Sequence, residues 1–284
     1  MILLRAPAKI NWFLSIIDKR EDGYHDIISL MQCVDLFDTI SFEDAEDIEL
    51  LSDLDIPVSE NIVYKAACLV KGVCSYSRGA RIVLRKNIPD GAGLGGGSSD
   101  AACTLIGLNR LWGLNLNKKE LMQLASEIGS DVSFFIGGPF SLVEGRGEKV
   151  SSLKTESSVF MLLVKPEISI STSWAYNSYK RGLTKKHVDI KLFCHALDRK
   201  NYDLLRHVVF NDLEKTVISR YPAIGKIKEM LIKNGAVIAS MSGSGSAVFG
   251  IFNSDGEAVS ASKKMGKNWC RVVSTLSKKE ELIS

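Results

Sequence analysis

Two features that would place the protein in a membrane or on a nucleic acid are missing from its 284-residue sequence. No stretch reaches the roughly 18 apolar residues that a spanning helix needs. The apolar N-terminal segment is interrupted by Arg5, Lys9 and Asn11, which argues against a signal peptide. Lys plus Arg number 36 and Asp plus Glu number 33, so the net charge is only +3, whereas nucleic-acid binders usually concentrate positive charge. We therefore expect no membrane and no nucleic-acid partner, and the sequence predicts no particular oligomeric state.

Cysteine is sparse and irregularly spaced. No two of the six cysteines form a Cys-x-x-Cys pair, so a zinc site and a thioredoxin-like motif have no support. A chain of this length also needs no disulfide scaffold to stabilise its core. We expect buried, reduced thiols in a cytoplasmic protein at Cys33, Cys68, Cys74, Cys103, Cys194 and Cys270.

The composition is that of a globular protein with two domains. Hydrophobic residues make up 45% and charged residues 24% of the chain, and its length corresponds to two domains at about 150 residues each. The character of the sequence changes after the segment 144–147, because residues 151–158 are polar. We therefore predict one domain over residues 1–150 and a second over residues 151–284.

Hydrophobic periodicity predicts an α+β fold. Alternating apolar residues indicate strands, and apolar residues three or four apart indicate helices. Asp22-Gly23 is typical of the tight turn of a hairpin after a strand at 10–16. Asn117 and Glu120 form a capping-box pattern before a helix at 118–128. Further strands are predicted at 27–30, 80–85, 159–164, 236–240, 247–252 and 270–273, and further helices at 61–73, 222–234 and 257–265.

A cluster of glycines precedes another predicted helix. Five glycines lie between Gly91 and Gly97, followed by Ser98, Ser99 and Asp100, which are all good N-cap residues. Glycine lets backbone amides approach a ligand, and a helix N-terminus adds free N–H groups and a positive dipole end. The two together favour a phosphate site. The alternative is a flexible loop whose serines only cap the helix.

Known phosphate loops fit this cluster poorly. A Walker loop ends in Gly-Lys-Ser/Thr, and no lysine follows these glycines. Gly91, Gly93 and Gly96 satisfy Gly-x-Gly-x-x-Gly, but residues 109–117 lack the acidic residue that a dinucleotide site places about 20 residues later. The partner motifs of a protein kinase are also missing from the sequence. A nicotinamide-dependent dehydrogenase is therefore a weak alternative.

Three segments, in order along the chain, resemble the motifs of the GHMP family of small-molecule kinases. They are Ala6 to Asn11, Pro89 to Ser99 and Met241 to Ser246. The resemblance implies a two-lobed α+β fold with a ribosomal-protein-S5-domain-2-like N-terminal lobe and a ferredoxin-like C-terminal lobe. It also implies ATP with Mg²⁺ as cofactors, with ATP bound by the first domain and the second domain on the substrate side.

Two further segments point to one substrate class within the family. Arg20 to His25 and Gly129 to Phe135 resemble members that phosphorylate the 2-hydroxyl of a cytidine diphosphate conjugate of methylerythritol. This reaction belongs to non-mevalonate isoprenoid precursor biosynthesis. Homoserine, mevalonate and sugars are alternative substrates, although they carry no base on which an aromatic side chain could stack.

The resemblance implies three catalytic-centre roles. Asp131 would be the base that takes the proton from the attacking hydroxyl, and the transfer from ATP would be direct and in line. Lys9 would be its cationic partner, and Asn11, on the same strand face, would contact the substrate hydroxyls. From the residues alone, Asp131 equally fits a cap for a helix starting at Val132, and Lys9 fits an edge-strand residue with a solvated head.

The remaining roles implied by the resemblance concern the two ligands. Tyr24 would stack on the cytosine and His25 would hydrogen-bond to it, although both are also ordinary hairpin residues. The other proposed substrate contacts are Thr172, Tyr176, Gly243, Ser244 and Gly245, where the two glycines could instead close on the ATP side. The ATP site would comprise Pro89, Asp90, Gly91, Ala92, Gly93, Leu94, Gly95, Gly96, Gly97, Ser98, Ser99 and Asn61.

Four details of this assignment are open at the level of sequence. Ser99 is a possible Mg²⁺ contact, and Asn61 fits a helix N-cap as well as a place near adenine. Ser133 stands where many relatives have proline. Asp100 would be unfavourable beside phosphate unless its side chain points away.

Overall fold

The computed structural model describes residues 1–180 and 188–277, which form an α+β structure of two sheets with helices packed on them. The strands of these residues are β1 (Ile2–Lys19), β2 (His25–Ala45), β3 (Ile48–Ser52), β4 (Gly79–Arg85), β5 (Phe140–Gly145), β6 (Lys149–Ser152), β7 (Phe160–Lys165), β8 (Phe210–Asn211), β9 (Ile238–Met241), β10 (Val248–Phe252) and β11 (Trp269–Ser274). The helices are α1 (Ile62–Val73), α2 (Gly96–Leu111), α3 (Lys118–Ile128), α4 (Val132–Gly137), α5 (Thr172–Ser178), α6 (Ile190–Asp198), α7 (Tyr202–Val208), α8 (Glu214–Arg220), α9 (Pro222–Lys233) and α10 (Asp255–Ser262).

The larger sheet is built on a long hairpin. Strands β1 and β2 pair antiparallel along most of their length, and residues 20–24 connect them. Gly23 has φ +85°, but Asp22 does not have a positive φ, so the connection is longer than the tight Asp-Gly turn that the sequence predicts. The sheet order is β3-β4-β2-β1-β8, with β5 pairing with β2 and β6. Register shifts interrupt the β1–β2 ladder at Pro7/Ala8 and at Asn11/Phe13. Such irregularities re-aim side chains, and these two flank Lys9 and Asn11.

The smaller sheet has the ferredoxin-like arrangement. Its four strands lie in the order β11-β7-β10-β9 and are all antiparallel to their neighbours. Helices α5 to α9 lie in sequence between β7 and β9, and α10 lies between β10 and β11. The order 4-1-3-2 of a β-α-β-β-α-β chain is that of the split βαβ motif.

Apolar contacts join the two sheets. Trp12 of β1 is fully buried and makes edge-to-face contacts with Phe193 and Phe249, which belong to the second half of the chain. Its indole Nε1 donates to Gln32 Oε1 at 2.7 Å, which satisfies the one polar atom of the ring. The short strand β8 also comes from the second half, yet it pairs with β1. A domain boundary after residue 150 stays a prediction.

Local sequence signals place most of the elements correctly. The helix predicted at 61–73 is α1, with Asn61 Oδ1 accepting from the Val63 amide. The capping box of Asn117 and Glu120 at the start of α3 is confirmed, with both of its hydrogen bonds formed. The serine caps of α2 are a wrong prediction. Helix α2 begins earlier, at Gly96, and its N-cap is Gly95 with φ +73°.

All six cysteines are free, but only two are buried. Burial raises the pKa of the Cys33 and Cys103 thiols, so both are protonated at neutral pH. The expectation of burial is wrong for Cys68, which is exposed, and for the partly exposed Cys74, Cys194 and Cys270. Across the described residues, the helices are all too short or too polar to cross a membrane.

Candidate active site

A pocket of about 710 Å³ lies where the segments 6–11, 89–99 and 241–246 meet. Its walls come from the β1–β2 hairpin, the loop before α2, the start of α4, helix α5 and the turn after β9. The volume suits small-molecule ligands, whose pockets commonly span about 300 to 1,000 Å³. The sequence-predicted residues among its lining are Lys9, Asn11, Tyr24, His25, Pro89, Asp90, Gly91, Ala92, Gly93, Leu94, Gly95, Gly96, Gly97, Ser98, Asp131, Thr172, Tyr176, Gly243 and Ser244.

Lys9 is a buried cation in the pocket wall. Its side chain is only 3% exposed, with Nζ donating to Asn11 Oδ1 at 2.7 Å and lying 3.5 Å from Asp131 Oδ2. The interpretation of Lys9 as an edge residue with a solvated head is wrong, because its side chain is buried and the glycine loop covers the side of β1 that does not pair with β2. The Lys9 amide also donates to the carbonyl of Leu94 at 2.8 Å, which ties this strand to the glycine loop.

Asn11 is held in place by the sheet. Its Nδ2 donates to Ser29 Oγ at 2.8 Å, and the Ser29 hydroxyl in turn donates to the Phe13 carbonyl at 2.7 Å. Because its Oδ1 accepts from Lys9, the Asn11 amide has protein partners on both sides. The amide therefore orients the Lys9 ammonium, and one N–H of its Nδ2 is left for a ligand.

Asp131 faces the pocket instead of capping a helix. It is the residue before α4. The structure describes all of this helix, and the Asp131 side chain makes no capping hydrogen bond to it. The carboxylate is 32% exposed and lies beside the Lys9 ammonium. Burial raises the pKa of the Tyr176 phenol, and the negative charge of Asp131 raises it further. Asp131 therefore sits within electrostatic reach of both Lys9 and Tyr176.

The glycine loop is shaped by positive φ angles and by close packing. Gly91, Gly93 and Gly95 have φ values of +59°, +73° and +73°, which side-chain-bearing residues rarely adopt. A Cβ on Gly93 would lie 2.1 Å from the Ser242 carbonyl oxygen. The loop leads into α2, whose first N–H groups have no helical acceptor and remain available for an anion.

The C-terminal glycine segment braces this loop. Ala247 N–H donates to the Ala92 carbonyl at 2.9 Å, and Ser242 Oγ donates to the Gly93 carbonyl at 3.0 Å. A Cβ on Gly243 would come within 3.1 Å of Lys9 Nζ. The segments of residues 6–11, 89–99 and 241–246 are therefore in direct contact.

Three predicted ligand residues do not line the pocket. The Ser99 side chain is buried, and its hydroxyl has no hydrogen-bond partner among the described residues, so the geometry does not support a metal contact there. Asn61 is buried as the cap of α1, while its neighbour Ile62 reaches the pocket. Gly245 packs towards Met241 and away from the lining.

Aromatic side chains surround the far end of the pocket. Tyr24 is 53% exposed at the hairpin turn, and the ring of His25 lies 5.4 Å from the ring of Tyr176. Partial burial, together with the charge of Lys19, lowers the pKa of His25, so its imidazole is neutral at pH 7. Thr172 Oγ1 and Ser244 Oγ share a hydrogen bond of 3.0 Å in the same wall.

The sequence reasoning missed Arg146. The Arg146 guanidinium lies 5.1 Å from the Tyr24 ring centre and lines the pocket. It stands on the turn between β5 and β6, which packs against the chain just before Asp131, since a Cβ on Gly147 would lie 2.7 Å from the Ser130 carbonyl oxygen. The glycines around Arg146 signal a turn, but only the fold brings that turn to the pocket. Ser130, Ser173 and Asn177 are further missed lining residues.

Metal-ligating side chains are scarce. In the part of the chain that the structure describes, no group of three His, Cys, Asp or Glu side chains is placed to hold a metal ion. The side-chain oxygens of the pocket lining include those of Ser98, Asp90 and Asp131. Such a site suits Mg²⁺ that arrives on phosphate oxygens and keeps several water ligands.

Comparisons with known proteins agree with this arrangement. Residues 61–139 match the GHMP kinases N terminal domain, and residues 193–271 match the GHMP kinases C terminal domain. A 4-diphosphocytidyl-2-C-methyl-D-erythritol kinase of Thermodesulfovibrio yellowstonii is 48% identical over 97% of this chain and 98% of its own length. A crystal structure of 4-(cytidine 5'-diphospho)-2C-methyl-D-erythritol kinase superposes with a TM-score of 0.83 at 30% identity, covering 96% of this chain and 99% of that one.

A more distant structure shares the fold. Homoserine kinase from Cytophaga hutchinsonii superposes with a TM-score of 0.75 at 19% identity, over 98% of this chain and 95% of that one. Both halves of the chain match one family, and a relative that is 48% identical aligns with 97% of the chain. The protein therefore belongs to the GHMP kinase family.

Proposed function

We propose that the protein transfers the γ-phosphoryl group of ATP to the 2-hydroxyl of 4-diphosphocytidyl-2-C-methyl-D-erythritol. The similar proteins that carry this substrate in their names extend over nearly the whole chain. The observation that carries the proposal is the position of the Lys9–Asp131 pair. A buried ammonium and a pocket-facing carboxylate 3.5 Å apart lie directly beside the glycine loop, as a hydroxyl kinase requires.

The glycine loop would hold the triphosphate. Residues 89–98 line the pocket, and the amides of residues 96–98 stand in the first turn of α2. These amides have no acceptor within the helix, whereas the Ser99 amide already donates to the Gly95 carbonyl at 2.9 Å. The role proposed for Ser99 is therefore one of packing, with Ser98 as the residue that meets phosphate.

Asp131 would act as the base. A hydroxyl that attacks phosphorus must lose its proton, and a carboxylate within hydrogen-bond reach can accept it. Lys9 contributes positive charge beside Asp131, where negative charge develops on the transferred group. Asn11 holds the ammonium in place and leaves one N–H for a substrate hydroxyl.

The aromatic end of the pocket would bind the cytidine diphosphate portion. Tyr24 and Tyr176 offer ring surfaces for stacking, and a neutral His25 can both donate and accept a hydrogen bond to the base. Arg146 supplies a guanidinium, whose planar donors suit phosphate oxygens. Thr172 and Ser244 add hydroxyls in the same wall.

Mg²⁺ is proposed to enter with ATP. The lining provides Ser98 and Asp131 as protein oxygens near the phosphate loop, which fits a cation held mainly by phosphate and water. When bound, the ion neutralises charge on the phosphates. We also propose a cytoplasmic location and keep the division at residue 150 as a proposal.

The direct test is ADP release from ATP and Mg²⁺ with a panel of alcohol substrates. The panel contains 4-diphosphocytidyl-2-C-methyl-D-erythritol, homoserine, mevalonate and a sugar, each also run without enzyme. We expect substrate-dependent ADP release with the cytidine diphosphate compound at a kcat/KM far above the others. Higher activity on another alcohol would identify that alcohol as the substrate instead. Binding of NADH without binding of an ATP analogue would overturn the proposal.

A further inference from the structure

A buried group of three charges lies behind the glycine loop. Lys86 Nζ contacts the Asp38 carboxylate and donates to Asp100 Oδ2 at 2.7 Å. The three side chains are 9%, 0% and 1% exposed, respectively. None of them lines the pocket. Asp100, which would repel phosphate if it faced the loop, therefore points away from it.

Asp38 holds the chain that enters the loop. It stands on β2, and its Oδ1 accepts from the backbone amides of Asn87 and Ile88, the latter at 2.8 Å. Those two residues follow Lys86 and lead into the loop at Pro89. One carboxylate thus binds the Lys86 ammonium with one oxygen and the adjacent backbone with the other.

Asp100 holds the chain that leaves the loop. It lies in α2, one turn after Gly96, where the helix begins. A Cβ on Gly96 would lie 3.2 Å from Lys86 Nζ and 3.0 Å from Ile88 Cγ2. The segments 86–88 and 96–100 are therefore in contact, and Lys86 connects them.

We infer that Asp38, Lys86 and Asp100 form a clamp that holds together the two ends of the glycine loop, the segments 86–88 and 96–100, and thereby sets the affinity for ATP. The three are positioning residues, and the inference rests on the proposed binding of ATP by this loop. Without the clamp, the amides at the start of α2 lose their fixed orientation towards the pocket, while Lys9 and Asp131 keep theirs.

The charges themselves argue for positioning. A buried ion pair stabilises a fold poorly compared with well-packed apolar side chains of similar volume. Here two carboxylates share one ammonium, and Asp100 Oδ1 has no hydrogen-bond partner among the described residues. Burial raises the pKa of Asp100 well above that of an exposed carboxyl, whereas the two neighbouring carboxylates raise the pKa of Lys86 against the effect of its own burial. What the group supplies is a directional connection between two chain segments.

The test compares Asp100→Leu with Asp100→Asn. Leucine has the same branched skeleton, with methyl groups in place of the two oxygens, but it cannot accept from Lys86, so the clamp is opened, whereas asparagine keeps an acceptor. We expect Asp100→Leu to raise the Kd and KM for ATP on the order of tenfold, because small displacements of binding groups are costly. The KM for the alcohol substrate and kcat at saturating ATP should stay within about twofold, and Asp100→Asn should restore near-wild-type KM for ATP.

Two further measurements keep the outcome decisive. Leu108→Ala, a buried change on the same helix, serves as the control for loss of stability alone and should leave the KM for ATP unchanged. If Asp100→Leu does not fold, Asp38→Asn is measured in its place. Asp38 uses both oxygens, one for Lys86 and one for the backbone amides, and asparagine keeps only one acceptor, so this variant should also raise the Kd for ATP. Unchanged ATP affinity in a folded clamp variant, or an equal loss of ATP affinity in Leu108→Ala, would overturn the inference of a clamp. Failure of the wild-type protein to bind ATP would instead refute the proposed function.

Discussion

Replacing Asp131 by asparagine tests the proposed base with little change in shape. The variant keeps the size of the side chain but cannot accept the hydroxyl proton. General-base catalysis contributes roughly 10²- to 10⁴-fold, which corresponds to about 2.7 to 5.4 kcal/mol of transition-state stabilisation. We expect kcat to fall by that factor. Lys9 loses an ionic partner at 3.5 Å but keeps its hydrogen bond to Asn11, so the variant should fold.

The assay for this prediction separates chemistry from binding. Single-turnover ADP formation at saturating ligands reports the chemical step, and titration with a non-hydrolysable ATP analogue reports nucleotide affinity, which we expect to change less than about threefold because Asp131 is outside the glycine loop. Asp22→Asn is the matched control, since Asp22 is also a carboxylate of the pocket lining but interacts with Arg20 and the Tyr24 amide. A single-turnover rate for Asp131→Asn as high as that of Asp22→Asn would refute the role of Asp131.

Three further predictions concern the two ends of the pocket. Tyr24→Ala should weaken binding of the cytidine substrate by about 1 to 3 kcal/mol, because stacking is lost, and should leave the Kd for ATP unchanged in parallel titrations. Equal losses of affinity for both ligands would contradict the position of Tyr24 at the cytidine end. The pKa of His25 is lowered, so its neutral form is favoured in the folded state. The free energy of unfolding and the KM for the substrate should therefore be constant above about pH 6.5; below it, the free energy of unfolding should fall and the KM should rise. His25→Gln should flatten both profiles. Gly93→Ala should abolish ATP binding and lower Tm, because its Cβ would overlap the Ser242 carbonyl, whereas Gly113→Ala, at φ +61° with open space around it, should cost only about 1 kcal/mol in a thermal melt.

Signals that act within a few residues were readable from the sequence. The capping box at Asn117 depends on neighbours in the chain and is formed as predicted, and the Asp-Gly signal correctly marks the turn between β1 and β2, although that turn is longer than predicted. The start of α2 was misplaced because serine is a better N-cap on average, whereas here Gly95 adopts a left-handed conformation and the serines fall inside the helix. Helices α5, α6, α7 and α8 are not predicted from the sequence, since each is too short for its apolar positions to repeat over several turns.

The site itself depends on contacts between distant parts of the chain. The burial of Lys9 follows from the packing of the glycine loop and of Gly243 against it, including the hydrogen bond to Leu94, and these contacts leave no local pattern in the sequence. The place of Arg146 depends in the same way on the packing of the β5–β6 turn near Asp131. Only the resemblance to a family placed Asp131 at the site, because its local context equally fits a helix cap.

The glycines of the two glycine segments have a structural role that phosphate binding alone does not explain. A Cβ at Gly93 would collide with the backbone at Ser242, and a Cβ at Gly243 would lie 2.9 Å from the Gly93 carbonyl oxygen and 3.1 Å from Lys9 Nζ. Each glycine therefore lets the other segment approach. Because residues 241–246 brace the loop and also border the ammonium, the second half of the chain positions both the phosphate-binding amides and the cation beside Asp131. It follows that the glycine loop and the Lys9 ammonium are held at a fixed separation by backbone packing, which is what the proposed in-line transfer to a bound hydroxyl demands.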